Sequence, residues 1–362
     1  MGIKCEISLC PSDDNKYEYK SGSTVSGAIK YYLDEEYEFS TIVVSLKGQG
    51  RLYFEDKHKK RNDRMHTYGN KETYVDIDNV IYKNESGKPL VAGEYETPFS
   101  LLLPHDVPGS LDYTKNTGGY YCRCYIKYYV RIKFERPGLL NMNRHFKKEI
   151  QVASSQIPRM ATEPLIYGEQ KSLLQLSSLF SGEKSIVHLK ATIVNSVLKP
   201  GEGVKVNYEV ENNTNVDIKR VEVKLLEVDT YTASGGRKVN VKSEVENTEF
   251  TYGAIKAGET AKFAAEITIP SLCVSYDHSK IFGRDYSVLT TVVLPIPHIN
   301  LPLEIPFQVI DRLSANFEEG NGSASGYSSD APPSYWEAMG EDQKEKDDQD
   351  GFEQNKKGNE KE

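Results

Sequence analysis

The sequence predicts an all-β protein: two β-sandwich domains in tandem, followed by a disordered acidic tail. Three observations lead there. Apolar residues recur at every second position, and no stretch shows the spacing of an amphipathic helix. The pattern also occurs twice: Gly22, Val25, Phe39, Ile42, Val44 and Leu46 return as Gly201, Val204, Ile218, Val221, Val223 and Leu225 at one offset of 179 residues. After Ile310 the composition turns to Gly, Ser, Asp, Glu, Lys and Gln, too poor in apolar surface to order itself.

Taken in order, Ile3–Leu9 alternates weakly and reads as an edge strand. Tyr17–Asp34 and Glu38–Asp56 read as strand pairs broken at Gly22 and at the acidic turn Asp34-Glu35-Glu36. Val43 and Leu46, followed by Gly48 and Gly50, fit one long strand with a bulge. Lys57–Thr73, rich in Lys, Arg and His, reads as a polar loop. Strands resume at Val75–Lys83 and Gly93–Leu103, where Pro104 stops the run.

Tyr120–Phe134 alternates most clearly. Cys122, Cys124, Ile126, Tyr128, Val130, Ile132 and Phe134 share one face, which belongs in a core; Tyr121, Arg123, Tyr125, Lys127, Tyr129, Arg131 and Lys133 share the other. The second face is basic and aromatic. It fits either an ordinary solvated sheet surface or a contact surface on an edge strand facing a partner. Phe146–Val152 closes the first set of strands.

The second set repeats the first beyond its opening. Ala92-Gly93-Glu94 with Phe99 and Pro104 parallels Ala257-Gly258-Glu259 with Phe263 and Pro270, and Tyr128, Val130, Ile132 and Phe134 parallel Tyr286, Val288, Thr290 and Val292. A duplicated module follows from this register. The expected boundaries are 1–153 for the first domain, 154–184 for a linker, 185–311 for the second domain and 312–362 for the tail.

Charge is unevenly placed. The net charge is −8, and Ser314–Glu362 alone carries 13 acidic against 5 basic side chains, so the body is neutral. A neutral body argues against nucleic-acid binding. No apolar run approaches the ~18 residues of a membrane span, no secretory signal opens the chain, and Glu6 stands where a myristoylation start needs Ser or Thr. A cytoplasmic protein is expected, with the matches to the glycosylation pattern at Asn84, Asn212 and Asn321 left bare. Five cysteines in no framework spacing read as reduced thiols, with Cys122 and Cys124 as small buried hydrophobes.

No catalytic constellation emerges. Gly322–Gly326 has Ala324 where a nucleophile elbow needs Ser, there is no P-loop or H-E-x-x-H, and the seven histidines form no i, i+4 pair. The expectation is no enzyme, no cofactor and no metal. The tail does carry one recognition motif: Pro332, Pro333 and Tyr335 form Pro-Pro-x-Tyr. Adjacent prolines pre-set a polyproline II turn for the aromatic groove of a WW domain, and Tyr335 adds an amphipathic anchor.

Gly22-x-x-Val25-x-Gly27, Thr97-Pro-Phe-Ser-Leu-x-Leu-Pro104, Pro200-Gly-Glu202, Tyr286-Ser-Val and Leu303-x-Ile-Pro-Phe307 together resemble the arrestin fold of two immunoglobulin-like sandwiches. With the tail motif, the chain is similar to the α-arrestins, the arrestin-domain-containing proteins. The resemblance implies an adaptor linking membrane receptor or transporter cargo to a WW-domain HECT-type ubiquitin ligase for ubiquitination, endocytosis and sorting. It further implies recruitment from the cytoplasm to plasma membrane and endosomes. A vesicle-coat scaffold resembling the arrestin-like subunit of retromer is the alternative. Lys59, Lys60 and Arg61 fall where visual and β-arrestins carry a receptor-entering loop. Together with Arg123, Lys127 and Arg131 they are the candidate contacts for cargo or for an anionic peripheral membrane surface. Lys148 falls at the place of a phosphate-sensing arginine, so a phosphate-released latch is not expected.

Overall fold

A computed structural model describes residues 2–12, 18–61, 64–138, 143–173 and 185–311. The first module contains β1 (Ile3–Leu9), β2 (Glu18–Tyr19), β3 (Thr24–Leu33), β4 (Thr41–Arg61), β5 (Arg64–Lys83), β6 (Gly93–Leu102), β7 (Leu111–Asn116), β8 (Tyr120–Glu135) and β9 (Arg144–Val152). The second contains β10 (Leu165–Ser172), β11 (Ile186–Ile193), β12 (Val197–Leu198), β13 (Gly203–Asn213), β14 (Arg220–Thr232), β15 (Lys238–Tyr252), β16 (Thr260–Thr268), β17 (Phe282–Val293) and β18 (Leu301–Val309). Among the described residues the only helical element is a 3-10 turn, Ser234–Gly236.

Each module is two facing sheets. In the first, β1-β3-β6 covers β2-β9-β8-β4-β5, with β7 also paired to β8; in the second, β10-β11-β13-β16 covers β12-β18-β17-β14-β15. Removing β7 and β10 leaves the same order twice, as the sequence repeat requires. The repeated residues do the same work: Val25 and Val204, Phe39 and Ile218, Ile42 and Val221, Val44 and Val223, and Leu46 and Leu225 are all at most 1% exposed. Each such side chain contributes about 1.5–3 kcal/mol through its removal from water. Gly22 and Gly201 make the same left-handed turn, at φ 81° and 86°, a region costly for any residue with a Cβ.

Three expectations need correction. Lys57–Thr73 is not a loop: the β4–β5 ladder continues through Asp56↔His66, Lys60↔Met65 and Arg61↔Arg64, because polar side chains do not interrupt backbone pairing. Part of the linker, Leu165–Ser172, pairs along its whole length with β11 and completes the second module's sheet. Strand β8 is interior rather than an edge: β4 bonds one side throughout, while β7 and β9 share the other. Period-2 alternation reveals which face is buried but not which neighbours pair.

The inward face of β8 holds as read, with Cys122, Cys124, Ile126, Tyr128, Val130, Ile132 and Phe134 all buried. Burial pushes the Cys122 thiol up to about 12 and that of Cys124 higher still. Asn212 is also fully buried, its amide donating to the carbonyls of Val216, Ile255 and Lys256, so its glycosylation pattern serves as a structural clamp.

Candidate functional site

Of the residues singled out in the sequence, Pro332, Pro333 and Tyr335 lie outside the described residues, as do the side chains of Lys59, Lys60 and Arg61. Arg123, Lys127 and Arg131 stand on the outer face of β8, where some of the cations are ion-paired. Lys127 lies 3.6 Å from both Asp112 and Glu149. Arg131 reaches Ser45 Oγ at 3.4 Å, and Lys133 binds Glu135 at 2.6 Å. Hydrogen bonds from Lys133 and Thr41 hold the Glu135 carboxyl below its usual range, and those from Lys47 and Ser45 do the same for Asp78. Arg123 is exposed. Lys148 donates to the backbone carbonyl of Ile7 at 3.0 Å, tying β9 to β1.

The most heavily built polar site lies between the modules. Asp229 of β14 is 1% exposed and receives two bonds from Arg284 of β17, at 2.7 and 3.0 Å. Tyr113 of β7 donates to the same carboxylate at 2.9 Å, and Tyr231 at 3.2 Å. Beside it, Glu227 lies 3.2 Å from Arg284 and 3.3 Å from Lys115 of β7, whose ammonium also bonds Ser243. The Arg284 guanidinium stacks 4.9 Å above the Tyr113 ring. A buried carboxylate is tolerated only when its lone pairs are filled in this way.

Apolar rings surround these charges. Phe54 of the β4–β5 hairpin packs on Tyr231 at 5.2 Å, and Tyr113 on Phe282 at 5.4 Å. The Cys273–Ile281 loop adds hydrogen bonds: Tyr276 donates to the Gly109 carbonyl at 2.5 Å, Gln156 donates to the Ser275 carbonyl, and Ser279 pairs with Tyr74. Arg159 bridges Asp277 and Asp285, at 2.7 and 2.6 Å. Burial raises both carboxyls, and the guanidinium offsets that rise only in part.

Sequence reasoning missed Tyr113, Lys115, Asp229 and Arg284. One signal was present: Asp229 falls in register with Val221, Val223, Leu225 and Tyr231, an acid where the alternation calls for an apolar residue. Its partners come from other strands and have no spacing signature.

Among the described residues, no three His, Cys, Asp or Glu side chains group as metal ligands, and no helix is long and apolar enough to cross a membrane.

Residues 6–156 match the model of the arrestin (or S-antigen) N-terminal domain, and residues 183–312 match that of the arrestin C-terminal domain. The chain is similar to arrestin domain-containing protein 17 of Caenorhabditis elegans, with 24% identity over 338 residues, covering 88% of this chain and 76% of the relative. An arrestin domain-containing protein of Schizosaccharomyces pombe is 29% identical over 119 residues, covering 32% of this chain and 18% of that protein. With both modules matched in order, and with the doubled sandwich already described, the chain belongs to the family of arrestin-domain-containing proteins.

Proposed function

We propose that this chain is a non-enzymatic adaptor: its two modules engage a membrane receptor or transporter, and Pro332, Pro333 and Tyr335 recruit a WW-domain HECT-type ubiquitin ligase. The outcome would be cargo ubiquitination, endocytosis and sorting, with the protein moving from cytoplasm to plasma membrane and endosomes. The supporting observation is the conjunction of an arrestin-family body, whose accessible surfaces are wide sheet faces, with a Pro-Pro-x-Tyr motif placed after its last strand.

The test titrates isolated WW domains against the full chain and its Tyr335→Ala variant. The variant should bind at least about tenfold more weakly, a loss of about 1.4 kcal/mol. Affinity capture should recover the ligase with the wild type and not with the variant. Equal capture by both overturns the reading.

A further inference from the structure

We propose that the outer face of the N-terminal module carries a site for anionic phospholipid headgroups, formed by Arg51, Lys71 and Arg123 beside Tyr53. The site deepens the adaptor reading and rests on it for a membrane setting, but it uses no part of the tail motif.

The pairing register assembles it. Arg51 of β4 lies opposite Lys71 of β5, and Arg123 of β8 lies opposite Tyr53, one step along the same face of β4. All three cations are exposed, and among the described residues none makes an ion pair. Strand spacing of about 4.8 Å and a two-residue repeat of about 7 Å place Arg51 about 5 Å from Lys71 and about 8 Å from Arg123, and the outer two cations about 12 Å apart, the scale of one or two phosphate headgroups. Like charges directly opposite on a sheet repel unless an anion lies between them.

The neighbouring carboxylates all have partners, though Glu55, whose partner is a hydroxyl, keeps its charge. Asp112 is with Lys127, Asp76 and Asp78 are with Lys47, Glu55 accepts from the Tyr53 hydroxyl at 3.0 Å, and Glu72 is with Lys280 across the domain joint. Elsewhere on this face, Lys47, Lys127 and Lys133 have acidic partners. Among the described residues Arg131 and Lys147 on this face also lack an acidic partner, Arg131 bonding Ser45 and Lys147 lying over the Tyr129 ring; Arg51, Lys71 and Arg123 are the unpaired cations gathered around Tyr53.

Two features favour a lipid surface over a peptide. Strands β4 and β8 have both edges paired, so an extended peptide crossing them gains no backbone hydrogen bonds. Tyr53 is 43% exposed with its hydroxyl anchored, the amphipathic aromatic that settles at a headgroup layer. Opposite Tyr53, Gly69 carries no side chain that would hold a headgroup away. The reverse side of the hairpin packs on Tyr231 and Ile281, so lipid contact at the front leaves the domain joint covered.

The experiment sediments the full chain with vesicles of phosphatidylcholine alone and of phosphatidylcholine with phosphatidylserine and phosphatidylinositol 4,5-bisphosphate, at about 0.1 M salt. Wild type should bind the anionic vesicles only. Arg51→Gln/Lys71→Gln/Arg123→Gln should weaken partitioning about a hundredfold, from about 1 kcal/mol per cation near an anionic surface. Lys127→Gln/Lys133→Gln should partition as wild type. Thermal melting of the triple variant at the wild-type temperature confirms its fold, and Arg123→Gln alone, expected to weaken partitioning about fivefold, serves if it does not. Undiminished partitioning of the triple variant, or no anionic preference by wild type, overturns the proposal. So does trio-dependent binding of soluble inositol hexakisphosphate or of a phosphopeptide without vesicle binding. Tyr335→Ala should partition normally while losing WW binding, which separates failure of this site from failure of the adaptor reading.

Discussion

Tyr113 and Asp229 are 116 residues apart in the chain, and they meet at 2.9 Å across the domain joint. Tyr113 comes from β7, which has no counterpart in the second module, and the same strand supplies Lys115 to Glu227. The one strand added to the first module thus joins β4 and β5 in gripping the second.

Asp229→Ala should remove about 3–5 kcal/mol of stability, because Arg284 is left buried with its main counter-charge gone. Tyr113→Phe, which leaves the ring in place, should cost about 1 kcal/mol. Asp229→Leu/Arg284→Met should recover most of the larger loss. Thermal unfolding of the four proteins decides, and a stable Asp229→Ala variant would refute the account.

Arg159→Gln should destabilise the protein by about 1–2 kcal/mol at pH 7, a figure reduced for the solvent around this half-exposed guanidinium. Burial raises the Asp277 and Asp285 carboxyls when folded, so folding binds protons there. Their contribution is most favourable at low pH and is lost as pH rises through the folded values. Without Arg159 the values rise further. The gap between variant and wild type should therefore narrow on acidification toward the carboxylate range, as followed by denaturant melts at several pH values.

Gly22→Ala and Gly201→Ala probe the duplicated turn. Both force a Cβ into left-handed backbone, costing about 1–2 kcal/mol. At Gly201 the added carbon meets open space, whereas at Gly22 it would lie 2.3 Å from the His105 ring. Gly22→Ala should be the more destabilising in a chemical melt, and equal losses would mean that His105 moves aside freely.

Thiol labelling should separate the cysteines by depth. Cys10 is exposed and should react with a maleimide first; burial pushes Cys5 up to about 11, which slows it. Cys122 and Cys124 should label only in denaturant, and labelling of either in the native protein would contradict the core packing.

The doubled sandwich was readable because repeated apolar positions carry it, from Val25 and Val204 through Leu46 and Leu225. Hydrogen-bond neighbours were not readable: the face of β8 was correct and its interior position was not. The Lys57–Thr73 hairpin was hidden by composition, since its polar residues resemble a loop while their backbones still pair. Lys127 and Arg131 were found as basic residues, but the pairing of Lys127 with Asp112 and Glu149 and the bond from Arg131 to Ser45 depend on register with strands distant in sequence.

Strand β10 alters where the second module begins. A fragment started at residue 185 would lack the strip that shields β11, presenting a raw, sticky margin to other molecules. A recombinant C-terminal piece intended to remain dispersed needs its start upstream of Leu165, so that the tether travels with the body it belongs to.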